Sequence, residues 1–264
     1  MKNAFYTLKN SVLLVVMAVI AFSCSNDSDS DATPSDFQLS ETELQTILET
    51  DDISGVADTV LAEVFVGNNT TSKGNDCYEA AYSDTGFTVV FNNCVLNGTD
   101  NVNGTLTVVY EVDNESAAFT ATYSGFFVGD IEINGTRSFG FDANMDQSSY
   151  SFVVNSNMEI TLADESKITE NGTKVFGFSF GQSLEDTSFT LSGNWSITVG
   201  DNSYSVEVNE TLEGNLSCEY LTSGSMDINK NGLEVTVDFG DGTCDDIATI
   251  IYPNGATEDV SIKD

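Results

Sequence analysis

Leu233-Glu-Val-Thr-Val-Asp-Phe239 is the stretch whose reading decides the fold. In an extended chain Leu233, Val235, Val237 and Phe239 point one way and Glu234, Thr236 and Asp238 the other, because strand side chains alternate with a period of two. One dry face and one wet face belong to an antiparallel sheet; a parallel sheet, covered on both sides, reads as a continuous apolar run. Asn231-Gly232, just before the stretch, supplies the residues that a tight hairpin turn demands. The same alternation recurs upstream in Leu106, Val108, Tyr110 and Val112, in Met158, Ile160 and Leu162, in Trp195, Ile197 and Val199, and in Tyr204, Val206 and Val208. Further Asn-Gly pairs stand at 97–98, 103–104, 134–135, 171–172 and 254–255 and read as turns. The expectation is an all-β domain over residues 67–264: an antiparallel meander of about a dozen strands, strongly curled or partly closed into a barrel or sandwich.

Helical signal precedes the strands. Ser40-Glu-Thr-Glu43 has the form of a capping box, and Leu44, Ile47 and Leu48 follow at helical spacing. Val56, Val60, Leu61, Val64 and Phe65 make a second apolar stripe, with 51–55 between them read as a turn. One or two short helices are therefore expected within 37–66, covering an open end of the sheet. Weak repetition runs through the body: Asn134-Gly-Thr-Arg-Ser-Phe-Gly-Phe141 is echoed by Asn171-Gly-Thr-Lys-Val-Phe-Gly-Phe178. Unequal spacing among such echoes favours shared turn demands over copied hairpins.

Composition removes whole classes of function. Among 264 residues there are 42 Asp+Glu and 8 Lys+Arg, a formal net charge of −34, and no histidine. Lys2 and Lys9 lie at the extreme N-terminus, so the rest of the chain holds only Lys73, Arg137, Lys167, Lys174, Lys230 and Lys263. No basic patch for nucleic acid can be assembled from these. The missing histidine excludes His-dependent nucleophile systems and His-ligated zinc.

Residues 1–23 read as a secretory leader: a positive start, then an apolar run from Val12 to Phe22, too short for the ~20 residues of a spanning helix. Ala21-Phe-Ser-Cys24 resembles a bacterial lipobox, which implies that Cys24 is diacylated and becomes the new N-terminus. Residues 24–36, SNDSDSDATPSD after the cysteine, read as an acidic flexible tether with nothing to bury. A lipidated cysteine, an acidic tether and an Asn/Gly/Thr-rich β domain together resemble the small cell-surface lipoproteins of Bacteroidota. That resemblance implies an outer-membrane lipoprotein facing the cell exterior. A transmembrane barrel also alternates, but an acyl anchor would be redundant for it, and the sequence here finishes Ser261-Ile-Lys-Asp264 without the common terminal aromatic.

Four cysteines remain after Cys24. An even number in an exported protein favours disulfides, and their grouping favours Cys77–Cys94 and Cys218–Cys244. The acid-rich run from Asp238 to Asp246 holds the strongest cation candidates, Asp238, Asp241, Asp245 and Asp246, as oxygen ligands for Ca²⁺. Its Asp-Phe-Gly-Asp-Gly-Thr243 segment also resembles the signature of PKD-type β-sandwich modules, over six residues only. No other cofactor is implied. Trp195 alternates with Ile197 and Val199 and reads as core. Glu159, Glu207 and Glu219 are candidate carboxylates for glycoside hydrolysis, and Asp58-Thr-Val60 resembles an O-glycosylation triplet of Bacteroidota surface proteins. The function expected is non-catalytic binding of an extracellular glycan or protein by a membrane-anchored domain. The competing classes are a carboxylate-based polysaccharide hydrolase and a structural envelope protein.

Overall fold

The computed structural model describes residues 38–67, 77–96, 100–111, 118–142, 149–181, 186–218 and 220–263. The expected leader, Cys24 and the tether lie outside them, as do Asn97-Gly98 and Glu219. Among the described residues one helix, α1 (Glu41–Gly67), precedes thirteen strands: β1 (Tyr78–Ser83), β2 (Gly86–Cys94), β3 (Val102–Glu111), β4 (Ala118–Val128), β5 (Ile131–Asp142), β6 (Ser149–Thr161), β7 (Lys167–Ser179), β8 (Ser188–Val199), β9 (Asn202–Asn215), β10 (Leu221–Lys230), β11 (Leu233–Asp241), β12 (Ile247–Ile251) and β13 (Thr257–Ser261). They form a single antiparallel sheet in strict chain order, with β1 and β13 as its two open edges.

Register confirms the alternation. Val235 and Val237 pair with Ile228 and Met226 on β10, and all four are buried. β1 occupies Tyr78–Ser83, within the expected β domain but ahead of the stretches where alternation is visible. It is an edge strand with mostly exposed side chains, so no apolar alternation marks it.

Three Asn-Gly pairs read as turns sit inside strands instead: 103–104 in β3, 134–135 in β5 and 171–172 in β7. Gly135 has φ +123° and Gly172 has φ +148°, values that side-chain-bearing residues rarely adopt. A Cβ at Gly135 would overlap the Asn157 carbonyl, and one at Gly172 would overlap the Trp195 backbone. These glycines let neighbouring strands approach closely and bend, which curls the sheet. Asn231-Gly232, by contrast, is a turn, with φ of +51° and +101°.

The capping box forms as read. Ser40 Oγ accepts from the Glu43 N–H at 3.3 Å, and Glu43 Oε2 accepts from the Ser40 N–H at 2.9 Å. α1 then continues unbroken through 51–55. Leu44, Ile47, Thr50, Ala57, Val60, Leu61 and Val64 are buried, a spacing that keeps one stripe in phase across the expected turn. With no proline in the segment, tertiary burial of both halves outweighs the ~1 kcal/mol cost of Gly55 in a helix interior. The helix, about 40 Å long by its rise per residue, lies across the concave face of the sheet. Leu44 and Ile47 pack with β6–β13, while Ala57, Val60, Leu61 and Val64 pack with β2–β6. The convex face carries a polar row running Thr88, Thr107, Thr122, Thr136, Asn157, Asn171, Ser196 and Ser205 across eight strands. Among the described residues no helix is long and apolar enough to cross a membrane.

Candidate binding surface

Both expected cysteine pairs come within bonding distance. Cys77 and Cys94, with Cα atoms 5.2 Å apart, tie the start of β1 to the end of β2. Cys218 and Cys244, at 5.8 Å, tie the β9–β10 turn to the β11–β12 connection.

The acid-rich segment uses its carboxylates locally. Asp238 Oδ1 accepts from Gly240 N–H at 2.8 Å, and Asp241 Oδ1 from the Thr243 hydroxyl at 2.8 Å. Asp245 Oδ1 accepts from Ile247 N–H at 3.0 Å, and Asp246 Oδ2 from the Ser261 hydroxyl at 3.1 Å. Those turn bonds hold the Asp241 carboxyl below its ordinary value, Thr243 being the cause. Among the described residues no group of three or more His, Cys, Asp or Glu gathers as a metal site. Glu159 is exposed and takes Lys167 Nζ at 2.7 Å, and Glu207 is exposed on β9. Thr59 of the glycosylation-like triplet lies in α1, where its hydroxyl donates to the Gly55 carbonyl at 3.0 Å.

What spacing did not foretell is a polar centre under the helix. The echoed segments fall on β5 and β7, the two neighbours of β6, and place matching side chains on the concave face. Gly135 matches Gly172, Arg137 matches Lys174, and Phe139 and Phe141 match Phe176 and Phe178. The echo is therefore a spatial repeat and not a pair of turns. Arg137 and Lys174 are each almost completely buried. Arg137 Nη1 lies 3.1 Å from Asp58 Oδ2 of α1, and the Tyr123 hydroxyl donates to Asp58 Oδ1 at 3.3 Å. Burial, with the Asp58 charge behind it, pushes the Tyr123 hydroxyl well above the ordinary tyrosine value. Lys174 Nζ meets Glu170 Oε1 at 2.9 Å and stands 4.8 Å from the centre of the Trp195 ring. Four residues of strand separate Glu170 from Lys174 by about 13 Å, so the two reach each other only over Gly172, which has no side chain in the way. Trp195 is core, as its spacing implies, and its indole N–H meets no acceptor among the described residues.

Outward from that centre the concave face turns aromatic. Register brings Phe119 beside Phe139, Phe141 beside Phe152, Phe152 beside Phe176, Tyr150 beside Phe178, and Phe178 beside Phe189. Phe119 stacks on Phe139 with centroids 4.8 Å apart, and Phe152 on Phe176 at 5.2 Å. From Phe141 to Phe189 these rings belong to neither core cluster. Phe141, Tyr150 and Phe180 keep 41%, 42% and 52% of their surface exposed, which makes the patch a surface and not a buried seam. The described Asp, Glu, Lys and Arg on this face of β4–β8 are Arg137, Lys174 and Glu170, all three buried in the polar centre. The convex face offers an open hollow of about 450 Å³ between Asn134, Asn157, Glu159 and Asn171. No protein-family model, curated protein or solved structure matches the chain at a significant level.

Proposed function

We propose that the chain is a lipoprotein, anchored in the outer membrane through acyl chains on Cys24 and facing the cell exterior, whose β domain binds a ligand without transforming it. The observation that carries the binding half is the aromatic patch on the concave face. Three neighbouring rings left 41–52% exposed on a molecule of net charge −34 give this face the apolar character that a ligand would cover. The rings are held by a continuous β5–β8 ladder, so the surface is preformed and little ordering is needed on binding. The anchor half rests on the sequence: the apolar run ending at Ser23-Cys24 and the acidic stretch after it.

Labelled fatty acid incorporated by the wild type and not by Cys24→Ser is the expected result for the anchor. Equal labelling of the two would remove it. Protease added to intact cells should degrade the domain, and resistance would remove the outward orientation. For binding, native mass spectrometry of the protein isolated from its own envelope should show one bound species per chain, recovered unaltered. A species recovered cleaved would point to hydrolysis instead.

A further inference from the structure

The aromatic patch has a size and a chemistry that name its ligand. From Phe119 on β4 to Phe189 on β8 the rings span four inter-strand steps, about 19 Å. From Phe176 on β7 to Phe180, one residue past the strand's end, the chain covers about 13 Å. The footprint is therefore on the order of 250 Å², far below the ~800 Å² per partner of a stable protein interface, so a second copy of this chain is too large an occupant. A glycan needs hydrogen-bonding groups around its rings, and the Tyr150 hydroxyl is the one polar side-chain group among Phe119, Phe139, Phe141, Phe152, Phe176, Phe178, Phe180 and Phe189. Phenyl faces without flanking donors suit hydrocarbon, which is non-directional in its demands. One lipid chain spans half of a ~30 Å bilayer core, about 15 Å, and lies within the patch from end to end. The inner border is polar, where the Lys174–Glu170 pair and Trp195 stand behind the phenylalanines; Glu170 offsets the Lys174 charge, and the Trp195 N–H is a buried donor with no acceptor among the described residues.

We infer that the patch binds a single long hydrocarbon chain, as in a long-chain fatty acid, laid across β4–β8 with its polar end toward Trp195. This deepens the proposed binding role and rests on it.

Equilibrium dialysis of the domain from Asp36 onward against radiolabelled oleate, kept below its micelle concentration, tests the inference. Saturable uptake of one oleate per chain is expected, with a change in the emission of Trp195, the single tryptophan. Phe141→Ser and Phe180→Ser alter exposed rings and should leave the melting temperature in place while weakening oleate binding at least tenfold. Tyr82→Ser removes an aromatic that is 45% exposed on β1, outside the patch, and should change nothing. Absence of saturable uptake would overturn the inference, as would patch variants that bind like the wild type or a Tyr82 variant that loses as much. A concentration-dependent dimer abolished by the patch variants would overturn it in favour of a second copy. Retention of maltoheptaose in place of oleate would overturn the hydrocarbon assignment while leaving the binding role standing.

Discussion

At the scale of single residues, three positions concentrate the energetics. Glu43 closes the helix capping box, accepts from the Tyr204 hydroxyl at 2.8 Å and pairs with Lys230 Nζ at 2.7 Å. Burial alone would raise its pKa, but the hydrogen bonds from Lys230, Ser40 and Tyr204 outweigh it and hold it below the ordinary 4.5. A carboxylate lowered in the folded state contributes stability that is present above the unfolded value and lost as pH falls through the folded one. Glu43→Gln should therefore cost about 1–2 kcal/mol at pH 7, with the gap to wild type closing below about pH 4, as chemical denaturation across pH will show. Lys174→Met should cost about 3–5 kcal/mol, because it strands Glu170 as an unpaired buried charge. Adding Glu170→Leu should restore most of that loss, and a double-mutant cycle measures the difference. Gly172 has no tolerable replacement: Gly172→Ala should cost at least about 3 kcal/mol through overlap with Trp195.

At the scale of elements, α1 and the disulfides hold the sheet in its curl. Gly55 is the weak point of α1, and nothing lies within 4 Å of a Cβ built there. Gly55→Ala should raise stability by about 0.5–1 kcal/mol, a shift of roughly 1–4 °C in a thermal melt. Each disulfide closes a short loop, of 17 and 26 residues in sequence separation, worth roughly 3 kcal/mol in the chain-entropy model. Replacing Cys218 and Cys244 together by Ser should cost about 2–5 kcal/mol. Non-reducing peptide mapping should recover Cys77 with Cys94 and Cys218 with Cys244, and any crossed peptide would contradict the pairing.

Across the whole molecule, charge is divided unevenly over the two faces. The concave face holds the apolar cores, a neutralised polar centre and the aromatic patch, and the net charge of −34 is left largely to loops and wet positions. Such a surface repels itself, and salt screens it. Sodium chloride should raise the melting temperature gradually. At fixed ionic strength Ca²⁺ and Mg²⁺ should shift the melt equally, and Asp241→Asn should change neither, because Asp238, Asp241, Asp245 and Asp246 each serve their own turn. A saturating response to Ca²⁺ alone, lost in Asp241→Asn, would contradict this. The open edge at β13 carries Glu258 and Asp259, charges that discourage pairing with another strand.

Alternation alone determined that residues such as Leu106, Val108, Val235 and Phe239 share one dry face of an antiparallel meander, because period two has a single geometric reading. The capping box and both cysteine pairs were legible for the same kind of reason, since short-range chemistry leaves few alternatives. Tertiary structure decided the rest. Asn134-Gly135 and Asn171-Gly172 look locally like turns, and only neighbouring backbones packed against them make them mid-strand bends. Residues 51–55 look locally like a break, and only burial on both sides keeps α1 continuous. The echo of Arg137-Ser-Phe-Gly-Phe141 in Lys174-Val-Phe-Gly-Phe178 was visible as letters. Its meaning depended on β6 lying between the two copies, because the register of three consecutive strands, and not the letters alone, brings two cations and a row of phenyl rings onto one surface.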